Sequence, residues 1–348
     1  MIRALAFGLK LAVPAIILVI LAFRFDLGRA IESASAVALF PLVLAIAMLL
    51  SQTAVFAARL SVLVSAFGVP LPFLPSLRLS LEGMFFSQTF ISFLGGDAVR
   101  IWRVRRRGLS LADSASAIAL DRLIGLAVGH FFLVCSLPWL LQALPDAHAR
   151  VLLLAIAIGG MAVLSMIVLA SYLRGRLGMF RRLPEWVKGM APTTLMLEAS
   201  TVGRHLFVHP GASFRAASLS ILVAMLNSAA FGALLYGMGV EPEIALKCAL
   251  LLPAVLEVAM LPISFAGWGV REGAAVIAFG ALGVSPHIAL AASVAFGLIS
   301  MGVSMLGGIV WLQNKREGNP DEPEPGLREP VVQFREEDIA SVSSQSGR

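Results

Sequence analysis

Six runs of about twenty apolar residues, at 4–23, 36–57, 112–142, 149–171, 213–237 and 286–312, dictate what this chain can become. A helix of that length, rising ~1.5 Å per residue, crosses ~30 Å of hydrocarbon. Inside hydrocarbon every backbone N–H and C=O must be paired within the chain, so such runs fold as helices. Composition agrees: 58% of the residues are hydrophobic and 14% charged, against about 25% charged in an ordinary soluble domain. The expected fold class is an all-α polytopic membrane protein of about 6–8 transmembrane helices. The first run is expected to be retained as a span, because the "RFDLGRAIES" between it and the "ASA" at 34–36 is too long and too charged for a signal-peptide cleavage region.

Three further apolar stretches, 60–69, 79–94 and the pair 244–261 with 270–282, are short or interrupted by Gly, Pro or charge. Such segments are expected where backbone is buried in protein or lines a cavity, as in re-entrant or discontinuous helices. Charge orients the whole. "RIWRVRRRG" at 100–108 and the basic residues Arg174, Arg176, Arg181, Arg182 and Lys188 are expected on the cytoplasmic side by the positive-inside rule. "LPDAHAR" and the acidic "GVEPE" at 239–243 then fall outside, so 60–94 and 244–282 become two broken hairpins inserted from opposite faces. Residues 1–312 form the membrane domain, with an amphipathic cytoplasmic segment at 172–211 anchored by Trp186. The Pro-rich, acidic, Ser-rich stretch at 313–348 is expected to be a disordered cytoplasmic tail.

The net charge of +6 hides a division. Residues 313–348 hold 5 basic and 8 acidic residues, leaving 22 basic against 13 acidic in residues 1–312, or +9. That excess lies in loops, as topology signals do, and argues against nucleic acid as a partner.

The two interrupted regions resemble each other. "FISFLGGDAVR" at 90–100 and "PISFAGWGVRE" at 262–272 share Ile-Ser-Phe, then a glycine, then Val-Arg. "GLSLADSASAIALDRLIGL" from Gly108 and "GVSPHIALAASVAFGLISM" from Gly283 follow in the same order. Two matches in order, combined with the opposite insertion that charge implies, point to an inverted-topology repeat.

Charges within such spans cost ~2.5–3.5 kcal/mol each on insertion scales, so they face one another or a polar cavity. Asp121 and Arg122 lie about ten residues into the third apolar run, near mid-membrane. Neighbours on a helix diverge by ~100°, so each is expected to pair with a residue elsewhere in the chain. Asp97 and Arg100 follow Gly95-Gly96, Glu257 interrupts an apolar segment, and Arg271 with Glu272 ends the second motif. Arg59 and Glu82 are weaker candidates. The bland alternative is a set of buried ion pairs that only fix helix register. Gathering around two broken segments favours a headgroup cavity, and the arginine fork suits a phosphate. A helix starting near Arg271 would add its positive end.

No catalytic motif is evident in the sequence. His130, His148, His205, His209 and His287 are scattered without an HExxH pattern and read as interfacial residues. The glycines of "GGDAVR" precede no Gly-Lys-Ser/Thr, so no phosphate-binding loop is expected, and no cofactor or metal is implied. Cys135 and Cys248 stand singly in apolar segments and read as packing residues.

With these motifs assembled, residues 4–312 resemble the flippase-like transmembrane region of the lysylphosphatidylglycerol synthase family. The resemblance rests on Gly95, Gly96, Asp97 and Arg100, then Asp121 and Arg122, then Pro262, Ser264, Gly267, Gly269, Arg271 and Glu272. Asp121 is a departure, since the family more often carries Glu there. The resemblance implies movement of a polar lipid between leaflets of the bacterial inner membrane by a stand-alone member, without the cytoplasmic aminoacyl-transferase domain of full-length synthases. Relatives handle several lipids, hopanoids and glycolipids among them, so the cargo does not carry over. The implied partners are membrane lipids, with a lipid-synthesis enzyme or a second copy as further possibilities. Two other readings stay open: an intramembrane lipid-modifying enzyme using the same carboxylates as acid and base, and an accessory subunit of a lipid-synthesis complex.

Overall fold

The computed structural model describes residues 32, 37–89, 93–144, 147–177, 202–259 and 267–317. The 4–23 span, Pro262, Ser264, most of the amphipathic segment and nearly all of the tail lie outside them. Among the described residues the chain is helical, with no strand. The principal helices are α1 (Leu39–Ala66), α2 (Phe73–Thr89), α3 (Phe93–Arg106), α4 (Leu111–Ala143), α5 (Ala147–Leu177), α6 (Pro210–Gly237), α7 (Pro242–Ala259), α8 (Val270–Gly280) and α9 (Pro286–Glu317). Five of them, α1, α4, α5, α6 and α9, are long and apolar enough to cross a membrane. The chain is an all-α, multi-pass membrane protein.

Local sequence sets the boundaries. α6, α7 and α9 each begin on a proline, whose fixed φ and missing N–H suit the first helical turn. Ser110 caps α4 by accepting the Asp113 N–H at 3.0 Å. Positive-φ glycines close the ends: Gly68 (φ 99°) and Gly239 (φ 84°) follow α1 and α6, while Gly108 (φ 101°) and Gly283 (φ 92°) follow α3 and α8. "FGV" at 67–69 and "MGV" at 238–240 thus form a further matched pair, one that escaped the motif comparison because it is so short.

Two boundaries correct the sequence reading. Residues 60–66 continue α1 without a break, so the first interrupted pair is α2 with α3, not 60–69 with 79–94. "RIWRVRR" is no loop: it is the last part of α3, and Arg103 is fixed there by an ion pair. Apolarity alone fails at both places. Arg59, Ser61 and Ser65 lower the hydropathy of α1 although their hydrogen bonds are met inside the fold.

The helices pack as two matched sets, α1 to α4 and α6 to α9. Corresponding members have similar lengths: 28 and 28 residues for α1 and α6, 17 and 18 for α2 and α7, 33 and 32 for α4 and α9. α1 and α6 share the most extensive contact. Each other substantial pairing within or between the sets has its counterpart: α2 lies on α9 as α7 lies on α4, and α1 touches α9 as α6 touches α4. α5 stands apart, packed on α4 and showing apolar side chains such as Ile158 and Leu169 to the surroundings, as expected of a helix facing lipid.

Apolar packing is uneven between the sets. Phe231, Phe279 and Phe296 sit in one core from α1 and α6 to α9, with ring centroids 5.0 and 5.8 Å apart around Phe231. A smaller core of Leu60, Val64, Leu79, Val104 and Ile118 joins α1 to α4. Where α2 crosses α9, a side chain at Gly307 would overlap the Leu81 carbonyl, so only glycine permits that approach.

Candidate functional site

The small first core lies beside a dense set of charges. Arg59 on α1 donates from Nε and Nη2 to Asp121 on α4 at 2.7 and 2.9 Å, and from Nη1 to Ser220 Oγ on α6 at 2.9 Å. Arg122 on α4 donates from Nε and Nη2 to Asp97 on α3 at 2.9 and 3.0 Å. Arg103 donates likewise to Glu82 on α2 at 3.0 and 2.9 Å. All three are two-pronged pairs, the geometry in which the guanidinium fork matches a carboxylate. As expected from helical divergence, Asp121 and Arg122 turn to separate partners.

Arg100 sits at the centre of this set with the weakest attachment. Its Nη1 reaches Asp97 Oδ1 at 3.3 Å, an oxygen already held by Arg122. Its guanidinium lies 4.7 Å from the Phe56 ring centroid, and Arg59 lies at the same distance from that ring. Phe56 therefore attracts both like charges through its π system. Arg100 is 3% exposed, and its Nε has no hydrogen-bond partner among the described residues. Gly83 makes room for it: a Cβ there would overlap Arg100 Nε. Among the described residues Arg59, Arg100, Arg103 and Arg122 face Glu82, Asp97 and Asp121, a surplus of one positive charge. Arg103 and Arg122 are the most exposed arginines of the set, their side chains 27% and 28% exposed.

The second motif is built differently. Gly269 (φ 81°) is the N-cap of α8, and its N–H donates to Glu272 Oε2 at 2.6 Å. The other carboxylate oxygen accepts Arg271 Nε at 2.9 Å and Ser293 Oγ at 3.3 Å. Arg271 also lies 4.8 Å from the Trp268 ring centroid, against Gly297 of α9. Adjacent residues pair here because they occupy the first turn, where Glu272 folds back over the helix start. The positive end of α8, expected to serve a headgroup, is met instead by the Glu272 carboxylate.

Glu257 is in neither group. Its Oε1 meets His130 Nδ1 of α4 at 3.2 Å, and His130 Nε2 meets the Ala157 carbonyl of α5 at 2.9 Å. His130 is 2% exposed, which corrects its reading as an interfacial residue. The fold thus brings Asp97, Arg100, Asp121 and Arg122 together, and sets Arg271 with Glu272, and Glu257, in two other places. Sequence reasoning missed Phe56, Arg103, His130, Ser220, Trp268 and Ser293. An aromatic or serine in an apolar helix carries no periodic mark, and Arg103 was read as a topology signal. His130 had a usable sign in being an ionisable group deep within a spanning run.

Residues 5–308 match the family model described as the lysylphosphatidylglycerol synthase TM region. The chain belongs to this family. No curated protein matches it. For a member of the lysylphosphatidylglycerol synthase TM family the match takes in all nine principal helices but the end of α9, so the paired sets and their charges belong to the family region. It is a multi-pass membrane protein of a lipid-related family.

Proposed function

We propose that this protein is a flippase that moves a polar, phosphate-bearing lipid between the leaflets of the bacterial inner membrane. The observation that carries the reading is the surplus positive charge centred on Arg100, held by one long hydrogen bond amid membrane-spanning helices. A phosphate oxygen would supply the missing acceptor, and Arg122 at the edge of the cluster would meet the headgroup first. The acyl chains would stay in lipid throughout.

The matched packing of the two sets supports an inverted repeat, in which α2 with α3 and α7 with α8 are re-entrant pairs inserted from opposite faces. Alternating exposure would follow from rocking one set against the other about the α1 to α6 contact. Arg271 would join the headgroup by exchanging Glu272 for phosphate in one of the two states. The tail would lie in the cytoplasm, and the protein would carry out no covalent chemistry.

Vesicles reconstituted with the full chain and fluorescently labelled phosphatidylglycerol, with a labelled neutral glycolipid as a second arm, test this. Leaflet exchange of the phosphate lipid should fall about tenfold or more in Arg100→Ala and Arg122→Ala at equal protein loading, as loss of a charge-assisted contact implies. No exchange by the wild type, or exchange untouched by both substitutions, would sink the reading. A covalently altered lipid in the recovered extract would favour an enzyme instead.

A further inference from the structure

The contact between buried His130 and partly buried Glu257 is left unused by the lipid site, and its hydrogen-bond logic is restrictive. The Ala157 carbonyl can only accept, so His130 Nε2 carries a proton in every state of the ring. Nδ1 then faces Glu257 Oε1 either as a lone pair or as an N–H. If the ring is neutral, the carboxyl must be protonated and donate. If the ring is cationic, the carboxylate accepts. Both arrangements hold one proton between Nδ1 and Oε1. Removing it leaves a lone pair against a carboxylate oxygen at 3.2 Å, a repulsive contact in place of a hydrogen bond.

The surroundings make that proton decisive. Glu257 Oε2 has no partner among the described residues, so no second donor holds the carboxylate once the shared proton leaves. Other titratable groups on the helices packed here are engaged elsewhere: Asp121 and Arg122 with Arg59 and Asp97, Arg271 with Glu272, and Lys247 with Glu243 at the exposed start of α7. Cys248 is sealed in the apolar core, Cys135 on α4 is exposed, and α5 and α6 bring their described titratable side chains only near their ends. The site is also shaped: a Cβ at Gly160 would overlap the His130 ring. Because α4 belongs to one helix set and α7 to the other, the contact is a tie between the two.

We propose that His130 and Glu257 form a proton-binding site that ties α4 to α7 when loaded and frees them when empty, coupling lipid movement to a proton gradient. The coupling rests on the lipid-moving reading; the proton site does not. The loaded site favours the state in which the sets are joined, and proton release to the other side lets them part.

Infrared difference spectra of the purified full chain, taken on a pH step, read the site without reference to lipid. The shared proton should titrate in the wild type as a carboxylic-acid band or as a coupled pair of carboxylate and imidazolium bands; the carboxyl component should disappear in Glu257→Gln, and His130→Gln should move the midpoint. Absence of both titrating signals, or persistence of the carboxyl component in Glu257→Gln, overturns the site. In vesicles under an imposed pH gradient, exchange of labelled phosphatidylglycerol should change by about tenfold with the gradient in the wild type. Glu257→Gln, whose amide can donate permanently to Nδ1, should elute as folded protein and lose that dependence. Wild-type exchange indifferent to the gradient overturns the coupling. A band behaving as expected in a protein that exchanges no lipid supports the proton site and defeats the lipid reading, which separates the two failures.

Discussion

The two interrupted helix pairs carry related motifs, yet their charges are deployed in opposite ways. In the first, α2 with α3, each carboxylate is matched to an arginine on another helix, so the network links α1, α2, α3, α4 and α6. In the second, the Arg271 and Glu272 pair is closed within one helical turn, and among the described residues its hydrogen bonds to another helix go to Ser293. A charge tied across helices fixes their register and leaves one arginine in surplus. A charge tied within its own turn stabilises a helix start and is neutral overall. Similar sequence motifs can thus build a charge network between helices in one region of a molecule and a helix cap in another.

The contrast can be broken most severely at Asp121. Asp121→Ala strands Arg59, 5% exposed, with Ser220 as its remaining partner, and should cost about 3–5 kcal/mol, as removal of one member of a buried pair does. Detergent-titrated unfolding of the purified protein would measure it. Glu272→Gln keeps the shape and an acceptor for the Gly269 N–H but removes the charge beside Arg271, and about 1.5–3 kcal/mol is expected from the lost charge-assisted bonds. A loss as large as that of Asp121→Ala would mean the second motif is no mere local cap.

Smaller changes sharpen the comparison. Gly83→Ala drives a methyl group into Arg100 and should cost about 1–2 kcal/mol. Lipid exchange should drop with it, since Arg100 is displaced while all its charges remain. Gly273→Ala in α8 meets nothing within 4 Å. It should stabilise by about 0.5–1 kcal/mol through helix preference alone and leave exchange unchanged. Equal effects of the two glycine substitutions on exchange would remove the distinction between network and cap.

Much of this was legible in the residues. Five described spans fall where apolar runs place them, because a 20-residue run without water has no alternative to a helix. The separate partners of Asp121 and Arg122 followed from helical divergence. The end of α1 and the whole of α3 were harder, since polar residues whose bonds are satisfied by distant helices look like loop to any local reading. His130 was misjudged for the same reason: its partners lie 127 and 27 residues away.

The sequence by itself determined the medium, the helices and the matched motifs, because hydrophobic length and backbone pairing are local demands. Only the tertiary structure decided which charges meet. Asp97 could have joined any nearby arginine, and the packing of α3 on α4 gave it Arg122 and left Arg100 loosely held. Glu272 could have faced a cavity, and the turn at Gly269 folded it back on its own helix. Charge in hydrocarbon must find a partner, but distance in space chooses which one, and that distance exists only after the helices have packed.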